Sequence, residues 1–125
     1  MIQCTNIFRS TSTKEEFIIH CTVTCQTTHS IYLLQCAVCD LQYVGTTDRQ
    51  FNKRMIEHRS QAKGKGGTSL SRHLRSTNHH KAVDKLKVTI IEHNPNWDIA
   101  TRLRREHFWI RKLDTLSPNG INEKK

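Results

Sequence analysis

Apolar and polar positions along the chain alternate in short stretches, and the best defined pair lies in its first third. Ile31-Tyr-Leu-Leu-Gln35 and Leu41-Gln-Tyr-Val-Gly45 read as two short strands, each carrying a tyrosine, joined by a turn of hairpin length. Upstream, residues 1–16 are polar and are expected to form an irregular lead-in. Phe17 to Thr24 is β-prone and is expected to add a strand to the edge of the sheet. Downstream, Thr46-Thr-Asp48 offers capping side chains for a helix over 49–62, in which Phe51, Met55, His58 and Ala62 fall on one face. Lys63-Gly-Lys-Gly-Gly67 must be a loop, and Ser69 to Arg75 a short helix. Leu86 to Glu92 is a β-branched run predicting a third strand. Asn94-Pro-Asn96 breaks it, Asp98 caps a final helix reaching Leu113, and Ser117-Pro-Asn-Gly120 is a closing turn.

The order of elements predicts an α+β fold: a small, mainly antiparallel sheet of three or four strands flanked by helices. Residues 1–29 are read as an N-terminal extension and 30–125 as the domain proper. A length of 125 residues and a hydrophobic fraction of 35% allow one modest core, so additional fastening by a metal is reasonable. No apolar run reaches membrane-spanning length and no secretory signal is evident. A soluble, intracellular chain without a membrane partner is therefore expected.

Charge narrows the partner. Twenty Lys and Arg residues against eleven Asp and Glu give a net charge of +9, a balance suited to a phosphate backbone. Five cysteines are an odd number, unsuited to a closed disulfide framework, and eight histidines accompany them. Cys36 and Cys39 lie two residues apart in the hairpin turn, the spacing that lets two thiolates share one ion. With His73 and His79 downstream they read C-x2-C…H-x5-H, a zinc pattern that would clamp the glycine loop and short helix onto the hairpin. His80 is an equal alternative to His79. Cys21 and Cys25, with His20 and His29 nearby, read as small buried residues, with a second metal site or a disulfide as the alternatives, and Cys4 carries no reading.

In the final helix Ile99, Leu103, Glu106, Ile110 and Leu113 recur at helical spacing, which places a carboxylate on the face turned to the core. Such a group needs a cation, either an arginine or a metal. Arg54 and His58, four residues apart on the first helix, border its apolar stripe and are able to face the same cleft.

Taken in order, these residues resemble the GIY-YIG nucleases. Ser30-Ile31-Tyr32 stands for the first motif, with serine where the family has glycine, and Tyr43-Val44-Gly45 for the second. Arg54 and His58 match the helix positions, Glu106 the metal-binding glutamate, and Asn122 the terminal asparagine. The Cys pair between the tyrosine motifs is similar, more narrowly, to the endonuclease domain of Penelope-like retroelements, as are YLLQC, LQYVGTTDR and RMIEHRS. The resemblance implies a divalent-metal-dependent DNA endonuclease that nicks target DNA for retroelement insertion. It also implies a place beside a reverse transcriptase in a longer, nuclear protein.

By the same resemblance Glu106 would hold Mg²⁺ or Mn²⁺, with Zn²⁺ structural. One of Tyr32 or Tyr43 would orient or deprotonate water, with a relay through His58. Arg54 would hold the phosphate oxygens, and Asn122 would fix local geometry. Arg49, Lys53, Arg59, Lys63, Lys65, Arg72 and Arg75 would contact DNA phosphates. The alternative is a non-catalytic, zinc-stabilised nucleic-acid-binding module derived from a nuclease, a reading favoured by Ser30.

Overall fold

A computed structural model describes residues 7–19, 26–63, 69–75 and 86–123. Two strands open it, β1 (Ile7–Arg9) and β2 (Glu16–Ile18). They are followed by β3 (Ser30–Gln35), β4 (Gln42–Thr47), helix α1 (Phe51–Lys63), the short helix α2 (Ser69–Arg75), β5 (Lys87–His93) and α3 (Ile99–Leu113). The main sheet is antiparallel with order β4-β3-β5, so the first tyrosine strand is its centre. This is the expected α+β architecture, its sheet at the lower of the anticipated strand counts.

Alternation along β3 sorts its side chains onto two faces. Tyr32 and Leu34 face one way, with Tyr43 and Gly45 opposite them on β4. They join Phe51, Met55, Leu70, Val88 and Ile90 in one core cluster, covered by α1 and α2. Ile31 and Leu33 face the other way and meet Val44, Ile91, Ile110, Leu113 and Phe8 in a second cluster. Between Ile31 and Tyr32 the register against β5 shifts, with Ile91 the extra residue on the β5 side.

The lead-in departs from expectation. Residues 7–9 are a strand, and Glu16–Ile18, the described start of the β-prone run, pairs with it as a separate two-stranded sheet instead of extending the main one. Three-residue strands carry too little alternation to be read from sequence. What stabilises them is aromatic packing: Phe8 stacks on Phe17 at 5.2 Å, and both meet the Trp109 ring edge-on. The turn between them is fastened to the far end of α3, where buried Ser10 donates its hydroxyl to the Leu113 carbonyl at 2.6 Å.

The final helix is capped as read, Asp98 accepting from the Thr101 amide at 2.7 Å. Its apolar stripe, however, is only half core. Glu106, Ile110 and Leu113 are buried, while Ile99 and Leu103 are 68% and 37% exposed. The first helix begins at Phe51, two residues later than expected, and buries Phe51, Met55 and His58 on the predicted face.

Candidate active site

Tyr32 is the centre of the site. It is fully buried on the middle strand, and its phenol oxygen lies 2.5 Å from His58 Nε2 on α1. Phe51 and the His58 ring both pack edge-on against the Tyr32 ring, so two residues of one helical face fix the phenol. Directly across the strand pair stands Gly45, and a Cβ there would lie 2.4 Å from the Tyr32 Cζ and Oη atoms. Glycine is needed because the phenol occupies the space of a side chain. The sequence identified Gly45 but not this reason.

Tyr43 lies on the same face, half-buried, with its ring edge-on to His58 at 6.0 Å. Arg54, one turn before His58, hydrogen-bonds Tyr32 and lies 3.6 Å from Glu57. Glu106 reaches the same cluster from α3, buried and within electrostatic range of both phenols. The fold thus gathers Tyr32, Tyr43, Arg54, His58 and Glu106 from four elements, β3, β4, α1 and α3.

Their protonation follows from burial and neighbours. Burial pushes the Tyr32 phenol well above its ordinary range, helped by Tyr43 and Glu106 and opposed by Arg54. Tyr43 is raised by burial and by Glu106, again against Arg54. His58 is pushed down to about 3, first by burial and then by the Arg54 charge, so at neutral pH it is an uncharged acceptor for the tyrosine proton. For Arg54, burial pulls down, but Tyr32, Tyr43 and Glu57 outweigh it and hold the guanidinium charged.

Asn122 acts on the strand that carries Tyr43. Its side-chain oxygen accepts from the Val44 amide at 2.8 Å, and its nitrogen donates to the Val44 carbonyl at 3.0 Å. One residue earlier, the Ile121 amide donates to the Gln42 carbonyl. Two backbone steps of the β4 edge, flanking Tyr43, are therefore closed by the chain end. Gln42 does similar work that sequence reasoning missed. Its buried amide joins the Thr11 amide, the Arg9 carbonyl and Gln35, tying the N-terminal turn to β4. Ser30 is accommodated in full burial, its hydroxyl without a hydrogen-bond partner among the described residues.

A second cluster lies in the hairpin turn. Cys36, Cys39 and His73 offer ligand atoms all within 4.8 Å of one another, with Cys39 Sγ 3.4 Å from His73 Nε2. Two thiols and an imidazole at that separation can bind zinc, and α2 supplies the histidine as the clamp reading required. His79 lies outside the described residues, as does Lys65. Among the basic positions, Arg49 pairs with Glu57 and Arg72 with Glu123, while Lys53 is exposed. Arg59 and Lys63 lie on α1, and Arg75 ends α2.

The family model for the GIY-YIG catalytic domain matches residues 28–122. The chain belongs to the GIY-YIG family. Among solved structures, this GIY-YIG chain is similar to the catalytic domain of homing endonuclease I-TevI. The two are 24% identical with a TM-score of 0.61, over 77% of this chain and 98% of that one. A mutant of the catalytic domain of intron endonuclease I-TevI is 26% identical, with a TM-score of 0.59, over 74% and 89% of the two chains. No curated protein matches the sequence. The β1–β2 hairpin precedes the matched segment and is an addition to the GIY-YIG core of this chain.

Proposed function

We propose that this GIY-YIG domain is a divalent-metal-dependent DNA endonuclease that nicks target DNA, and that it serves insertion of a retroelement as part of a longer protein with a reverse transcriptase. The observation that carries the catalytic reading is the 2.5 Å contact between a buried tyrosine and an uncharged histidine, with Arg54 beside both. The Cys pair in the hairpin supports the retroelement reading. The net charge of +9 supports a nucleic-acid substrate and a nuclear setting.

Glu106 suits a hard divalent ion: it is a buried carboxylate within electrostatic range of both phenols, and Mg²⁺ or Mn²⁺ prefers oxygen ligands of that kind. Such an ion would neutralise the scissile phosphate and the departing 3′ oxygen. The chain's own residues handle the proton. Tyr32 donates its hydrogen to His58 Nε2 and so keeps its oxygen lone pairs for an attacking water. As water attacks phosphorus, Tyr32 takes the water proton and passes its own to His58, while the P–O3′ bond breaks. Arg54 opposes a charged His58, and the incoming phosphate offsets that opposition, so the relay is favoured only with substrate present. Arg54 also faces the non-bridging oxygens, and Tyr43, the more accessible phenol, orients the water. Zn²⁺ on Cys36, Cys39, His73 and His79 would hold the hairpin turn against α2.

A plasmid-nicking assay with Mg²⁺ or Mn²⁺ tests this. Wild type is expected to convert supercoiled to open-circular DNA, and Glu106→Ala to lose that activity while retaining DNA binding. Equal nicking by both removes the metal role of Glu106. Binding without nicking by wild type supports the non-catalytic module instead. Metal analysis of the purified folded protein checks the clamp, which fails if zinc is absent.

A further inference from the structure

Ile99 and Leu103 are large apolar side chains left in solvent on a helix whose later turns are core. Both lie on the side of α3 that carries Glu106. Leu103 is about 4.5 Å and Ile99 about 10 Å along the axis from it, toward the N-terminal end. Arg102 sits between them and donates to Thr46 Oγ1 at 3.1 Å, which ties this part of the helix to the end of β4. Ile99 is 68% and Leu103 37% exposed, and the two continue as a ridge along the helix from Glu106. The helix bearing it carries Arg102, Arg104, Arg105, Arg111 and Lys112, with Glu106 its one acid. Apolar side chains flanked by arginine, projecting from a cationic helix, match a duplex nucleic acid: phosphates for the charges, a base step for the aliphatic groups.

We infer that Ile99 and Leu103 form a wedge that enters the bound DNA duplex and unstacks a base step one to three base pairs from the nicked phosphate. This rests on the nuclease reading, since it takes the tyrosine site as the place where the phosphate sits. The separations of about 4.5 and 10 Å correspond to roughly one and three base steps at 3.4 Å each. Opening the stack on the side that faces α3 bends the duplex away from the helix, spreads the flanking backbone and lets a single phosphate reach the recessed Tyr32. The wedge is thus a device for nicking a duplex, and a strand already unstacked would not need it.

The test uses the whole chain and a short DNA duplex containing 2-aminopurine at successive steps, without added divalent ion, so that binding is read apart from cleavage. Wild type is expected to raise the fluorescence of one step near the nick position. The Ile99→Ser/Leu103→Ser pair is expected to bind about tenfold more weakly and to abolish the rise, while Ile99→Met/Leu103→Met retains both. Ile99→Ser alone, at the more exposed position, covers the case in which the pair does not fold. With Mg²⁺, the serine variants are expected to lose nicking on paired DNA and keep it on a mismatched duplex. Unchanged binding and fluorescence in the serine variants overturn the wedge, as does a wild type that binds without any rise. A serine pair that alters only self-association in sedimentation overturns it too, making the ridge a contact between copies. Unstacking without nicking leaves the wedge standing and removes the nuclease reading.

Discussion

On the α1 face of the sheet, Tyr32, His58 and Arg54 bury polar atoms against Phe51 and Met55, whereas on the α3 face Phe8, Phe17 and Trp109 meet ring against ring. Both faces share one central strand, and the same alternation of side chains feeds each. The difference lies in what is left unsatisfied. His58 Nδ1 has no hydrogen-bond partner among the described residues, and its ring is held uncharged next to a guanidinium. The opposite face buries mostly carbon, and its hydroxyl at Ser10 is fully used. One face spends stability on groups poised for chemistry; the other supplies it.

That division gives a first and largest expectation. Phe8→Ala removes a buried ring from the aromatic trio and should lower unfolding free energy by about 3–5 kcal/mol in a denaturant titration. Nicking per folded molecule should stay near wild type. A fall in specific activity at temperatures where the variant is folded would show that the hairpin does more than stabilise. On the other face the signs reverse. Arg54→Ala should reduce the nicking rate by about 10²–10³, equivalent to about 2.7–4 kcal/mol of transition-state stabilisation, with a much smaller change in unfolding free energy. Comparable losses from both variants in both measurements would erase the distinction between the faces.

How much of this was legible depends on the range over which each signal acts. The tyrosine face could be read because a period of two places Tyr32 and Tyr43 on one side whatever the turn between them. Glu106 could be read because a carboxylate interrupts an aliphatic stripe. The hairpin β1–β2 could not, since its strands are three residues long and their partner, Trp109, lies about ninety residues away in sequence. The exposure of Ile99 and Leu103 was hidden for a related reason: periodicity gives the face of a helix but not how much of its length the rest of the fold covers. Asn122 was placed by resemblance, and its work on Val44 is a side-chain to backbone contact with no local pattern.

Gly45 sharpens the comparison at a single atom. Gly45→Ala would place a methyl group 2.4 Å from the Tyr32 phenol, which Phe51 and His58 prevent from moving aside. Overpacking of this kind should cost about 1–3 kcal/mol of stability. By breaking the Tyr32–His58 contact it should also reduce nicking more than Phe8→Ala does. Gly45→Ala combined with Tyr32→Phe should recover part of the stability and none of the activity. An active double variant would remove the phenol from the mechanism.

The smallest effect at neutral pH is the one that singles out His58. Its folded-state pKa of about 3 lies below the ordinary value near 6.5, so between those limits the unfolded chain takes up a proton that the folded chain refuses. The contribution is therefore complete above about pH 6.5, is lost as pH falls, and levels off near 3. The slope of one proton is about 1.4 kcal/mol per pH unit at most. Zinc ligands also protonate in acid, so the informative quantity is the difference between wild type and His58→Gln across pH 5–7, measured with zinc present in both. Wild type should lose stability more steeply by up to that slope, and the two curves should run parallel above pH 7. Parallel curves throughout would mean that His58 is solvated and free to charge, and Tyr32 would then have lost its neutral proton acceptor.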